Sequence, residues 1–266
     1  MNPQRACAVG LGRRAFLFGA ISSTCAAQNR PATRTEHIGR SGFPSEVRAQ
    51  LDRLGERLVK AGKERAVLQG TFVDAVGAQS PAQLTYQLPD RFRFQATGPL
   101  NRIVVFDGET PRSTRAQVDS TEEDLLESFV ADSPDGFFDD LRSGAALRLL
   151  GRRFRPGPSI APDFKGPLFD IYELAGVVRI RRDRRSRVKR FYFDSASALL
   201  LRVRYEDVSR GPKVSIETRF SQWRDFAGNP LPGQVERWEN GKLVFTFRLA
   251  SANLLPRGDE SIFRTP

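Results

Sequence analysis

The feature that most constrains the fold is a series of strand-like segments in the second half of the chain. Their residues are 168–178, 187–194, 199–207, 213–224, 231–239 and 242–253. Between Val214 and Phe220, for example, apolar residues and a threonine alternate with polar or charged ones, which places alternate side chains on one face of a strand. The Asn240-Gly241 pair between the last two segments favours a two-residue hairpin. The sequence therefore predicts a long antiparallel sheet with one apolar face that other elements must cover.

The first half contains further strand patterns. Apolar and polar residues alternate over residues 84–88 and 92–94, and a Pro-Asp pair marks a turn between these segments. Residues 102–106 form an apolar, β-branched segment that ends at Asp107-Gly108, a second hairpin signal. An antiparallel meander is the simplest arrangement of these segments.

Four segments have helical patterns. Residues 45–62 show apolar side chains at helical spacing, with Ser45 at the start and Gly62 at the end. An acidic first turn at residues 121–124 predicts a second helix, and residues 134–141 and 145–150 are expected to form two short ones. About ten strands with three or four helices predict one α+β domain over residues 45–266, with the helices on the apolar face of the sheet.

The N-terminus is typical of an export signal. Arg13-Arg14 is followed by Ala, Phe and Leu and then by a short apolar run, which is the twin-arginine pattern. We expect residues 1–27 to be the signal and 28–44 to be a polar linker, which places the protein in the periplasm or cell envelope. Lipidation of Cys25, with an outer-membrane anchor, is one alternative. The other is a disordered basic N-terminus in a cytoplasmic protein.

The net charge of +11 is concentrated in one short segment. Loss of residues 1–27 removes three Arg and no acid, which leaves +8, and residues 179–190 carry eight basic residues against one Asp. This segment is either a solvated turn or a contact with an anionic membrane surface. The contact residues would be Arg181, Arg182, Arg184, Arg185 and Arg187. Export, and the lack of interleaved stacking aromatics, argue against nucleic acid as the partner.

The residues available for catalysis are few. His37 is the single histidine, and Cys7 and Cys25 both fall in the predicted signal, so no metal, cofactor or Ser-His-Asp apparatus is expected. Residues 119–140 contain nine acids and no base, without the spacing of a calcium loop. We interpret this acidic run as a helix first turn and a solvated face. The sequence favours binding over catalysis.

The aromatic composition is uneven, with 20 Phe against four Tyr and two Trp. Phenylalanine needs no hydrogen-bond partner, so it suits a dry ligand cavity and an ordinary core equally well. The composition leaves both interpretations open, although a wide curved sheet is hard to fill with side chains alone.

Several stretches resemble a known family. They are Val104–Glu109, Arg190–Asp194 with Leu199–Tyr205, Phe220–Phe247 and Ser261–Pro266. Together with the order of helix, meander, helical insert and long antiparallel run, they resemble the outer-membrane lipoprotein carrier and sorting family, the LolA and LolB type. The resemblance covers about residues 45–266 and depends on structural turns.

The resemblance implies a strongly curved antiparallel sheet, an incomplete β-barrel, whose concave apolar face is covered by helices and receives acyl chains. It implies a monomer that binds a lipid or lipoprotein acyl chain, in lipoprotein sorting or lipid transport. The alternatives are a sensor or protein-interaction module on the same fold, and, ranked last, an envelope hydrolase. The expected lipid-binding residues are Leu84, Tyr86, Phe92, Phe94, Phe106, Phe129, Phe191, Phe193, Phe220, Phe245 and Phe247.

Overall fold

The computed structural model describes residues 64–87, 91–115, 118–154, 166–177, 186–208, 212–226 and 228–266. All of them belong to the compact unit Glu36–Pro266. The predicted signal, the linker, Cys25 and the helix expected over residues 45–62 lie outside the described residues and stay predictions.

The described residues form fourteen strands, two α-helices, a π-helical turn and a 3-10 turn. The first strands are β1 (Glu64–Asp74), β2 (Gln79–Gln87), β3 (Arg91–Ala96), β4 (Arg102–Phe106) and β5 (Pro111–Ser113). The helical segment follows, with α1 (Ser120–Leu126), the π-turn (Glu127–Ala131) and α2 (Pro134–Arg142). The next strands are β6 (Ala146–Phe154), β7 (Phe169–Val177), β8 (Ser186–Asp194), β9 (Leu200–Asp207) and β10 (Val214–Ser221). The chain ends with β11 (Arg224–Phe226), β12 (Asn229–Leu231), β13 (Gln234–Glu239), β14 (Lys242–Pro256) and the 3-10 turn (Ser261–Phe263).

Twelve of these strands form one antiparallel sheet, in the order β5-β4-β3-β2-β1-β14-β13-β10-β9-β8-β7-β6. Pairing of β1 with β14 joins the N-terminal meander to the second half of the sheet. The sheet is not closed, and β5 and β6 are its edges. The predicted α+β class and the curved, open antiparallel sheet are confirmed, with two more strands in the sheet than the ten expected.

The hairpin between β13 and β14 forms where the sequence predicts it. Asn240 and Gly241 both have positive φ, 48° and 76°, which matches the twist of the flanking strands. The central helices also begin as predicted, since the Asp119 side chain accepts from the backbone N–H of Glu122 and forms a capping box with it.

The helix predicted at residues 145–150 is wrong, because this segment is the start of strand β6. Helix α2 ends at Arg142, and Gly144 just beyond its C-terminal cap has a φ of 87°, the left-handed conformation that commonly follows a helix. Leu147 then pairs with Leu174 of β7 and is 4 % exposed on the inner face of the sheet. The backbone pairing of this segment with β7 therefore determines its conformation, although its local sequence pattern favours a helix.

Candidate functional site

The inner face of the curved sheet is apolar over both halves. The eleven residues expected to bind lipid belong to one cluster of buried side chains, and none is more than 8 % exposed. They lie on β2, β3, β4, β8, β10, β14 and the π-turn. The structure therefore brings all of these residues together, and it shows that the helical segment 120–142 covers them.

Phe129 on the π-turn covers the N-terminal half of this interior. Its ring centroid lies 6.3 Å from that of Phe92, 6.4 Å from that of Phe245 and 5.5 Å from that of Phe247. The π-turn is an irregular piece of helix of the kind that is frequent at functional sites.

Phe137 on α2 covers the second half in the same way. Its ring centroid lies 4.7 Å from that of Phe191, 5.2 Å from that of Phe193 and 6.2 Å from that of Tyr172. The two helical phenylalanines thus occupy the space in front of the sheet. Within the part of the chain that the structure describes, rings of the protein itself fill the interior that a ligand would enter.

A small apolar mouth opens between the helical segment and the β11–β12 hairpin. Its volume is about 30 Å³, which is the space of a single water molecule. Phe129 and Pro134 line one wall, and Trp223 and Leu231 line the other. The indole N–H of Trp223 is buried and has no hydrogen-bond partner among the residues that the structure describes. A group larger than a water molecule fits here only if the helical segment moves.

The helical segment is also held to the sheet by a buried ion cluster centred on Arg237 of β13. The Arg237 side chain is fully buried, and its guanidinium nitrogens lie 3.1 Å from Asp124, 3.3 Å from Glu127 and 3.3 Å from Asp132. It also donates to the Tyr205 hydroxyl at 2.9 Å. Glu239 of the same strand adds a further carboxylate at 3.5 Å, so five side chains from the helical segment and the sheet converge on one guanidinium.

Two further cations enter the cluster from β8. Lys189 Nζ lies 2.5 Å from Asp132 Oδ1, and Arg187 lies 2.6 Å from Glu127 and 3.0 Å from Asp207. The Thr218 hydroxyl donates to Asp132 at 2.8 Å. Each buried charge thus meets an opposite charge, as burial in a medium of low dielectric requires.

The protonation of this cluster follows from its charges. Burial alone lowers the pKa of Arg237, but the Tyr205 hydroxyl and the surrounding carboxylates raise it well above its usual value, so the guanidinium stays charged. Burial raises the pKa of Tyr205 well above its usual value, and the phenol therefore stays protonated. The cluster is a set of ion pairs and hydrogen bonds around a charged guanidinium.

Two interpretations made from the sequence are corrected here. The acidic run is not a solvated face, because Glu122, Asp124, Glu127 and Asp132 are all at most 2 % exposed. Arg187 does not face an anionic surface either, since it points inward with 8 % exposure. The other four arginines predicted for such a contact, at positions 181, 182, 184 and 185, lie outside the described residues.

Other features are absent from the described part of the chain. No helix there is long and apolar enough to cross a membrane. No group of His, Cys, Asp and Glu within the same residues is arranged to hold a metal ion.

An open, curved antiparallel sheet whose apolar inner face is covered by a short helical segment defines the LolA-type class of folds. The chain has this fold: a LolA superfamily protein from Nitrosomonas europaea superimposes with a TM-score of 0.50 at 12% identity, over 81% of this chain and 96% of that one. The expected resemblance is thereby confirmed at the level of the fold.

Two other solved structures are similar to the chain at lower scores. A domain described as an outer membrane lipoprotein-sorting protein, from Vibrio parahaemolyticus, has a TM-score of 0.49 at 9% identity, over 81% of this chain and 94% of that one. A DUF1329 family protein from Desulfovibrio piger has a TM-score of 0.47 at 12% identity, over 78% and 92%. No protein-family model and no curated sequence matches the chain.

Proposed function

We propose that the protein is a non-catalytic, exported envelope protein that binds a lipid or lipoprotein acyl chain between the helical segment 120–142 and the inner face of the sheet. The observation that carries the proposal is the continuous aromatic interior, which, among the residues that the structure describes, is covered by the 23 residues of the helical segment and not by a second layer of sheet. Each methylene that enters such an interior contributes about 0.8 kcal/mol.

The route of entry is the mouth beside Trp223. Movement of the π-turn would withdraw Phe129 from Phe92 and Phe247 and would leave a gap in the aromatic interior. The unpartnered indole N–H of Trp223 would then face the polar end of the ligand. This arrangement suits a chain that enters tail first, with its carbonyl group at the mouth.

The two tryptophans of the chain make this route measurable. Trp223 lines the mouth, whereas Trp238 lies on the outer face of the sheet, above Arg219. The variants Trp238→Phe and Trp223→Phe therefore form a matched pair with one reporter each. We expect a bromine-labelled acyl amide in solution to quench the fluorescence of Trp223 in the first variant and to leave Trp238 in the second unchanged.

Native mass spectrometry of the protein purified from the envelope supplies an independent readout. A bound lipid that is released by organic extraction would support the proposal. Absence of such a lipid, together with equal or no quenching in the two variants, would contradict it. The intact mass of the same sample shows whether Cys25 carries acyl groups or is removed with the signal.

The second candidate is a protein-interaction module on the same scaffold. The closed interior favours it, because a mouth of about 30 Å³ holds no acyl chain without movement of the helical segment. In that case bromine-labelled chains would leave both tryptophans unquenched, and the interior would act as an ordinary core.

A further inference from the structure

The outer face of the sheet carries two cross-strand rows of charged residues. The first row follows the pairings Arg148↔Glu173, Glu173↔Arg190, Arg190↔Arg204, Arg204↔Glu217 and Glu217↔Trp238. The second follows Tyr192↔Arg202, Arg202↔Arg219 and Arg219↔Glu236. Both rows point away from the interior, because the alternate positions hold buried residues such as Phe191 and Val203. We call the five arginines of these rows the outer arginine face.

In these rows the arginine side chains are more exposed to solvent than the carboxylates with which they pair. Glu217 is 13% exposed and pairs with Arg202, Arg204 and Arg219 at 3.2, 3.3 and 2.5 Å. Glu173 is 14% exposed and pairs with Arg148 and with Arg190. Arg190 and Arg204 themselves remain 55% and 47% exposed. A partner that approaches this side of the sheet therefore meets guanidinium groups first.

The outer face of the N-terminal half of the sheet is different. Its outward positions on β1, β2 and β3 are mostly glutamine and threonine: Gln69, Thr71, Gln83, Thr85 and Gln95. Arg93 on the same side donates to the backbone carbonyls of Ile262 and Thr265 and so holds the C-terminal segment. Other exposed cations, such as Arg112, Arg115 and Arg248, lie elsewhere on the described part of the chain. The five arginines on β6 to β10 differ from them because they are neighbours in two cross-strand rows.

A cleft of about 530 Å³ lies along the same region, at the ends of β8 and β9. Arg190, Arg204 and Tyr192 line it together with the exposed apolar side chains of Val188 and Val208. Two acids also line it, but each is paired with a cation, Glu206 with Lys213 and Asp207 with Arg187. This surface combines positive charge with exposed valines and an amphipathic tyrosine. A lipid bilayer is complementary to it, because anionic headgroups lie there above an apolar layer.

We propose that the outer arginine face docks the protein on a membrane surface rich in anionic phospholipid. Charge complementarity carries this choice of partner, and the two valines distinguish a bilayer from a purely polar polyanion. The proposal does not depend on acyl-chain binding in the interior. It also moves the expected membrane contact from the inward-pointing Arg187 to the outward-pointing Arg190 and Arg204.

The test is co-sedimentation of the full chain with vesicles of phosphatidylcholine, with and without phosphatidylglycerol. We expect binding only to the anionic vesicles and loss of binding as salt is raised. The double variant Arg190→Gln, Arg204→Gln should bind roughly 30-fold more weakly, because each basic residue near an anionic surface contributes about a fivefold factor.

The matched control is the double variant Arg112→Gln, Arg115→Gln. These arginines are 43% and 58% exposed, each pairs with a surface carboxylate, and both lie beside β5 at the opposite edge of the sheet. We expect the affinity of this control for anionic vesicles to lie within a factor of two of the wild type, because the two arginines are distant from the proposed contact and should act independently of it.

Quenching adds a readout of position. Bromine-labelled phospholipid in the vesicles should quench Trp238 in the Trp223→Phe variant more than Trp223 in the Trp238→Phe variant. Equal weakening by both arginine pairs, unchanged binding of the Arg190/Arg204 variant, or equal binding to neutral vesicles would each overturn the proposal. Retention on single-stranded DNA without any vesicle binding would overturn the choice of a membrane as the partner.

Discussion

Lys189 Nζ and Asp132 Oδ1 lie 2.5 Å apart in the interior of the protein, and they join strand β8 to the end of the π-turn. Both side chains are buried, and the second oxygen of Asp132 accepts from Thr218 and Arg237. Asp132 therefore connects three strands of the sheet, β8, β10 and β13, to the segment that covers it. The aromatic contacts fill the interior, and the ion cluster determines where the helical segment lies on it.

Asp132→Asn should destabilise the protein strongly. The change leaves Lys189 and Arg237 buried beside a neutral amide, and loss of one partner of a buried pair costs about 3–5 kcal/mol. Urea unfolding followed by circular dichroism measures the loss. The control Lys213→Gln removes a surface pair with Glu206 and should cost less than about 1 kcal/mol. Similar costs for the two variants would contradict the role of Asp132.

Phe137→Ala and Phe138→Ala should differ in cost, although the two residues are neighbours on α2. Phe137 is fully buried against Phe191 and Phe193, so its truncation should cost about 3–5 kcal/mol. Phe138 is only partly buried at the edge of the core, so its truncation should cost clearly less. The free energy of unfolding of both variants gives the comparison, and equal values would contradict the placement of Phe137 in the interior.

Asp107, at the turn after β4, should stabilise the fold in a pH-dependent way. Burial alone raises its pKa, but hydrogen bonds from the backbone of Thr110 and from Arg112 lower it from 3.8 to about 2. A carboxyl group with a lowered folded-state pKa stabilises the fold above its unfolded pKa and loses this contribution as pH falls. The difference in unfolding free energy between wild type and Asp107→Asn should therefore shrink between pH 3.8 and about 2. A difference that stays constant over this range would contradict the pKa assignment.

Replacement of Gly70, in the ladder between β1 and β14, should destabilise the protein more than replacement of Gly77 in the turn that follows β1. It lies at the register shift of this ladder, and a Cβ there would meet the backbone carbonyl oxygen of Arg248 at 2.1 Å. Gly70→Ala should cost up to about 3 kcal/mol, as an overpacked core does. In the control Gly77→Ala, the added Cβ would have no atom within 4 Å. The one cost of this change is the φ of 86° at residue 77, which destabilises a non-glycine residue by about 1–2 kcal/mol. Thermal unfolding of both variants tests this order.

Much of the fold could be predicted from the sequence because strand and helix patterns are local. The alternation from Val214 to Phe220 and the Asn-Gly turn at residue 240 predict strands and a hairpin that the structure contains. The segment 145–150 could not be assigned in this way, since its pairing with β7 is a long-range contact that no local pattern records.

The candidate site could be predicted only in part. Alternation placed the phenylalanines on one face, and the same alternation puts Arg187 and Lys189 on the face of Phe191, a signal that could have indicated buried cations. The acidic partners lie about 60 residues away in the chain, at Glu127 and Asp132. Nothing local links the two segments.

The sequence alone indicated the strands from residue 168 onward, their apolar faces and the type of the main hairpin, because these follow from contacts between near neighbours. It indicated neither β1 nor β6. Only the tertiary structure decided that the acids of the helical segment are buried, that Phe129 and Phe137 fill the interior, and that the exposed arginines lie on the opposite face. The two-residue alternation of a strand indicates which of its side chains share a face. Which element packs on that face depends on the burial of charges and rings contributed by distant parts of the chain.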